Sequence, residues 1–189
     1  MTQSGRKLPC QNSPIGYLIQ SWLSNGRRRL CSDQTTLGLV LALLVALPAM
    51  AQDFEKGAAA YKRGDYAAAL KELRPLALQG LAKAQNRLGF MYDKGQGVRK
   101  KYGKAVKWYR KAAEQGLAMA QNNLGYIYAD GGGRRRNFVL GHMWWSLAAA
   151  KGERRAVNSL PILERYMTPA QIAEAQKLAR EWRTKHMKK

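Results

Sequence analysis

Two histidines, two cysteines and a large surplus of lysine and arginine are the residues of this 189-residue chain with the most distinctive side-chain chemistry. His142 lies in the apolar stretch GHMWWSLAAA and His186 in the basic tail RTKHMKK, so no two imidazoles have the i, i+4 spacing that sets a pair on one helix face around zinc. Cys10 and Cys31 both precede an apolar run at residues 37–47. No Gly-x-Ser-x-Gly elbow is present. The glycine-rich stretches GQGVRK and GGGRRR follow helical patterns, whereas a dinucleotide-binding turn follows a strand. These glycines punctuate loops. The expectation is a chain without catalytic residues, cofactor or metal.

What remains is charge. Lys and Arg number 33 against 12 Asp and Glu, a net +21, and an excess of that size favours anionic partners. Much of it is clustered: Arg63, then Arg99, Lys100 and Lys101, then Arg134, Arg135 and Arg136.

The elements that must position these cations follow from a periodicity. AQNRLGFMYDKGQG, residues 84–97, returns 36 residues later as AQNNLGYIYADGGG. Two full units, 81–116 and 117–152, align without a gap, with a partial unit at 54–80 and another, plus a terminal helix, at 153–189. Each full unit holds two helical patterns. In the first, Leu81, Ala84, Leu88, Met91 and Tyr92 fall on one stripe; in the second, Tyr102, Ala105, Val106, Tyr109, Ala112 and Ala113 do so. Gly80, Gly116 and Gly152 end the second helices, where a left-handed cap suits glycine. Ala84, Gly89, Ala105 and Ala113 are small where helices should approach closely. A hairpin of this kind cannot bury its own apolar stripe, so the units must stack, which predicts a right-handed α-solenoid.

Several residues acquire places from this register. Arg63, Arg99 and Arg135 share one repeat position, with Lys100 and Arg136 beside them and Lys101 and Arg134 close by, so the loops are expected to form a basic ridge. Lys83, Arg87 and Phe90, with Met119, Asn123 and Tyr126, form a register-matched face of successive first helices, the side that lines the concave surface of a solenoid. Phe90 and Tyr126 are read both as core rings and as part of that face. Trp108, Tyr109, Trp144 and Trp145 read as core, and His142, at the place of Leu70 and Val106, as a half-buried helix residue. Pro75 and Pro161 are expected to kink their helices. Thr168-Pro169-Ala170-Gln171 is a capping box opening a helix whose stripe, Ile172, Ala175, Ala179 and Trp182, closes the end of the stack.

The apolar run 37–47 ends at Pro48 and is followed by Ala49-Met50-Ala51. It is shorter than the roughly 20 residues of a membrane-spanning helix and reads as a secretory signal cut after Ala51. The segment ahead of it is long for such a signal, as a start codon placed too far upstream would make it. Cys31 precedes the run, which argues against a lipid anchor. The mature chain from Gln52 would hold no cysteine and no transmembrane helix, and would keep 28 Lys and Arg against 11 Asp and Glu.

The pattern A-x-x-x-L-G-x-x-Y-x-x-G-x-G, followed by KAVKWYRKAAEQG, resembles the Sel1-like repeat, a tetratricopeptide-like family with a longer loop between its helices. The resemblance implies an adaptor fold used in bacterial envelope, secretion, signalling or host-contact roles. The reading is therefore an exported, periplasmic or secreted, non-catalytic module that holds a protein or peptide on its concave face. The alternative is a charge-driven binder of anionic envelope material: glycan, lipopolysaccharide or phospholipid headgroups. Nucleic acid fits the charge but seldom meets an exported chain.

Overall fold

A computed structural model describes residues 52–131 and 135–187. The expected signal segment, both cysteines and Arg134 lie outside these residues. Among the described residues there are eight helices and no strand: α1 (52–62), α2 (Tyr66–Leu78), α3 (Ala82–Lys94), α4 (Tyr102–Glu114), α5 (Ala118–Asp130), α6 (Phe138–Ala149), α7 (Arg154–Glu164) and α8 (Pro169–Met187). Helix α3 packs on α4, and α5 on α6, as the two repeat hairpins; α2 meets α3 and α4 meets α5 between units. The fold is an all-α solenoid of helix-turn-helix repeats.

The predicted stripes are the packing seams. Ala84, Leu88, Met91, Ala105, Tyr109, Ala112 and Ala113 are buried, as are their counterparts Ala120 and Leu124 in the next unit. Gly80, Gly116 and Gly152 take φ of 101°, 85° and 80°, the left-handed turn that lets each second helix stop and the next first helix begin.

A second repeated device joins the helices of each hairpin. A Cβ at Gly89 would lie 2.7 Å from Tyr109 Cδ1, and one at Gly125 would lie 2.6 Å from Trp145 Nε1. Tyr109 and Trp145 are separated by one period, as are the two glycines. Each first helix thus carries a notch into which the aromatic residue of its own second helix fits, and the close approach allows dense packing. Buried glutamines repeat as well: Gln85 Nε2 donates to the carbonyl of Ala77 at 3.1 Å, and Gln121 Nε2 to that of Ala113 at 3.2 Å, joining a first helix to the preceding second helix.

Pro75 and Pro161 both sit inside helices that continue beyond them. The capping box forms as the sequence requires: Thr168 N donates to Gln171 Oε1 at 2.9 Å, and Gln171 N to Thr168 Oγ1 at 3.3 Å. Helix α8 then lies on α6, with Trp182 edge-on to Trp144 at 5.9 Å and Ala175 and Ala179 buried.

Candidate functional site

Helices α3 and α5 occupy equivalent places in successive units, so residues at matching positions face the same side. Arg87 lies 4.6 Å over the Tyr61 ring, and Phe90 meets the same ring edge-on at 6.4 Å. Asn123 Nδ2 donates to Asn86 Oδ1 at 3.0 Å, linking α5 to α3. Lys94 Nζ stands 5.7 Å from both the Phe90 and the Tyr126 ring centroids and 3.1 Å from the buried Asp93 carboxylate. Of the face expected from sequence, Arg87, Phe90, Asn123 and Tyr126 therefore converge; Phe90 is half-buried and Tyr126 exposed. Lys83 does not join them. It lines a separate cavity of about 670 Å³ with Phe54 and Gln115, and Met119 is exposed.

Phe90, Asn123 and Tyr126 border a cavity of about 260 Å³, to which Trp145, Arg155 and Ser159 also contribute. A second cavity, of about 350 Å³, shares Tyr126, Trp145 and Ser159 and adds Arg136, Ile162 and Tyr166. Ile162 is 59% exposed and Tyr166 71%, large apolar side chains left open to solvent beside two arginines. Trp145 connects the two cavities from beneath, and its Nε1 donates to the carbonyl of Asn122 at 3.1 Å. Sequence reasoning placed Trp145 in the core and did not name Arg155, Ile162 or Tyr166. These last three lie in or just after α7, where the repeat pattern is faint.

The basic positions do not all share one surface feature. Arg63 and Arg99 are exposed loop residues. Lys100, also exposed, has its Nζ 4.6 Å from the Tyr102 ring centroid, and its pKa is raised chiefly by the hydrogen bond to Tyr102. Lys101 and Arg135 border one cavity and Arg136 another. Successive loops thus share one recess through Lys101 and Arg135, while the adjacent Arg136 turns to another.

One polar constellation went unread in the sequence. His142 Nε2 lies 2.8 Å from Glu164 Oε1, and Ser146 Oγ lies 3.2 Å from His142 Nδ1. The order imitates a nucleophile, base and carboxylate. Ser146, however, lies inside α6, where the neighbouring backbone N–H groups are occupied by the helix and no pair is left to stabilise an oxyanion. None of the four cavities described here is lined by these three residues. His142 is buried, at 2% exposure, and not half-buried as expected, because Glu164 reaches across from α7 to meet it. The bond ties α6 to α7. A His and Ser four apart on one helix were the only sequence signal. Among the described residues no group of three His, Cys, Asp or Glu is placed to hold a metal ion, and no helix is long and apolar enough to cross a membrane.

Stacked helical hairpins with side chains gathered on one face of the first helices define the class: a repeat scaffold of the tetratricopeptide-like kind. The Sel1 repeat model matches residues 82–117 and 118–153, so the chain carries two Sel1 repeats. It is similar to the crystal structure of a protective antigen present in uropathogenic Escherichia coli strains and displaying an SLR fold, at 30% identity and a TM-score of 0.68 over 72% of this chain and 30% of that one. It is also similar to a Sel1 repeat protein from Oxalobacter formigenes, at 33% identity and a TM-score of 0.56 over 69% of this chain and 54% of that one. The chain thus spans less than a third of the first neighbour and about half of the second. No curated protein matches its sequence.

Proposed function

We propose that this chain is an exported, non-catalytic interaction module that holds a segment of another protein on the face shared by α3, α5 and α7. The observation carrying this reading is the pair of adjoining cavities around Trp145, in which Tyr126, Ile162 and Tyr166 offer exposed apolar surface between Arg136 and Arg155. Large apolar groups beside cations suit a segment with an apolar anchor and a neighbouring carboxylate. Export is supported by the run 37–47 and the Ala49-Met50-Ala51 site. The protective-antigen description of the Escherichia coli neighbour accords with it.

Photo-crosslinking side chains placed at Tyr126 and at Tyr166 in growing cells test the reading. Both should capture the same protein from the envelope fraction, while one placed at Arg63 should not. The recovered chain should begin at Gln52. Full-length chain retained in the cytoplasm overturns export, and capture of glycan or lipid alone at Tyr126 and Tyr166 overturns the protein partner.

A second reading, attachment to anionic envelope material, draws support from Arg63, Arg99 and Lys100. They are exposed, and no ion pair among the described residues involves them. Retention on envelope preparations by this route falls steeply with salt, because exposed charge contacts are screened within about 10 Å at ~0.1 M.

A further inference from the structure

The largest of the four cavities, about 780 Å³, lies away from the face just described. Tyr128 lines it, whereas Tyr126 lines the two cavities of that face, and residues two apart on one helix point about 200° apart. Along one side run Lys101, Lys104, Lys107 and Arg110 at the start of α4 and through its middle; Arg135 contributes from the opposite loop. No described carboxylate lines the cavity, and no ion pair among the described residues involves these five cations.

The repeat does not require this arrangement. At the positions of Lys101, Lys104, Lys107 and Arg110, the preceding unit has Asp65, Ala68, Lys71 and Arg74, and the following unit has Asn137, Leu140, Met143 and Ser146. Like charges three residues apart on a helix repel each other, so the row works against the helix that carries it. Lys101 is also held in place: its backbone N–H donates to the carbonyl of Tyr92 at 2.9 Å, as that of Asn137 does to Tyr128 at 2.8 Å.

The hydrogen-bonding character is one-sided. Arg110 Nη2 donates to the Tyr128 hydroxyl oxygen at 2.8 Å, and Asn137 Oδ1 accepts from Leu140 N at 2.9 Å. Those two acceptors are engaged, while the Tyr128 O–H, the Asn137 amide N–H groups and the ammonium groups remain as donors. A recess rich in donors and positive charge is complementary to a ligand rich in acceptors and negative charge. Phosphate meets that description better than carboxylate, with three acceptor oxygens and between one and two charges per group. Two guanidinium groups can each take a phosphate in forked geometry, and lysines supply point charge.

We infer that the groove between α4 and the end of α5 is a binding site for a compact ligand carrying two or more phosphate groups, of the kind found in phosphorylated saccharide headgroups and in soluble polyphosphates. The volume suits a small molecule. Arg63, Arg99 and Lys100 do not line it, so the site goes beyond the charge-driven reading above, and it does not depend on export or on the peptide-binding face, because it can be measured with purified full-length chain.

Titration calorimetry with inorganic triphosphate is the direct test, run on the parent, on Lys104→Gln/Lys107→Gln/Arg110→Gln and on Lys71→Gln/Arg74→Gln, exposed cations at matching positions of the preceding unit that do not line the cavity. The triple variant should bind at least tenfold more weakly, with unchanged helical circular dichroism, and the double variant should match the parent. Vesicles bearing a bisphosphorylated glycolipid then separate the sources. Retention lost in the triple variant assigns a lipid headgroup, whereas triphosphate binding without vesicle retention assigns a soluble ligand; both support the site. Equal triphosphate affinity in parent and triple variant overturns it. Poly-glutamate of matched charge binding the groove as tightly as triphosphate overturns the phosphate assignment in favour of an acidic protein segment.

Discussion

Gly125→Ala sets two well-defined effects against each other. Glycine in a helix interior is about 1 kcal/mol less favourable than alanine, so on propensity alone the substitution should stabilise α5. The structure opposes this, because the new Cβ would sit 2.6 Å from Trp145 Nε1 and 2.7 Å from Trp145 Cγ. Trp145 is 7% exposed and packed among Ala148, Ala156 and Leu163, and its indole N–H is bonded to Asn122. Overpacking of a filled core costs about 1–3 kcal/mol, and a displaced indole that leaves its donor unpaired adds about 1–3 kcal/mol. Subtracting the propensity gain leaves a net destabilisation of about 1–5 kcal/mol, with a midpoint of about 3 kcal/mol. For a domain of this size that lowers Tm by roughly 6–15 °C.

Thermal and urea unfolding followed by circular dichroism measure it. Gly89→Ala provides a graded comparison. Its Cβ would lie 2.7 Å from Tyr109 Cδ1, but among the described residues Tyr109 has no side-chain hydrogen bond to lose, as Trp145 has with Asn122, so a loss of about 1 kcal/mol is expected. Because Trp145 borders both cavities of the proposed peptide face, Gly125→Ala should also weaken partner capture there, and Gly89→Ala less so. A rise in Tm for Gly125→Ala would mean that propensity wins and that no notch holds the tryptophan, refuting the packing argument for both units.

Three further outcomes are expected. Leu124, fully buried in the seam, should cost about 2–5 kcal/mol when truncated to alanine; a change of only a degree or so in Tm would mean that the seam runs elsewhere. Gln115 Nε2 donates to both Gly80 O and Gln85 Oε1 at 2.8 Å, whereas its counterpart Lys151 bonds Gly116 O and leaves the buried Gln121 Oε1 without a partner; Lys151→Gln should therefore stabilise by about 1 kcal/mol in urea unfolding. Burial pushes the Tyr109 phenol far above its ordinary value. Above pH ~10 the unfolded chain then loses a proton that the native state keeps, so stability falls by about 1.4 kcal/mol per pH unit from this group. Tyr109→Phe should flatten that alkaline slope while leaving the slope near neutral pH unchanged.

The fold was legible because packing in a solenoid is a nearest-neighbour problem, and nearest neighbours repeat with the sequence. Leu88 and Leu124, Tyr109 and Trp145, and the three helix-ending glycines could be assigned from the period before any coordinate was known. The candidate site was legible only in part. Arg87, Phe90, Asn123 and Tyr126 lie on full repeats and were found, but Arg155, Ile162 and Tyr166 belong to or follow the degenerate helix α7, where Pro161 stands in place of the repeat glycine. The bond from His142 to Glu164 joins residues of different units through side chains that neither neighbouring unit shares, and a period carries no information about such a contact.

That distinction separates scaffold from recognition in this chain. Where adjacent units agree, the residue has a packing role that stacking imposes: Gly89 with Gly125 holds a ring, and Gln85 with Gln121 holds a carbonyl of the preceding helix. Where they disagree without a packing reason, the side chain is free to serve something outside the fold. Lys101 and Lys104 against Asp65 and Ala68 are the clearest case, since both members of each pair are compatible with the same helix start and α4 gains nothing from adjacent cations. Neutralising Lys101 and Lys104 together should accordingly leave Tm unchanged or raise it by a degree or two, through lost repulsion of about 0.2–0.5 kcal/mol per pair. A fall of several degrees would mean that these cations stabilise the fold itself, and the divergence between units would then lose its functional meaning.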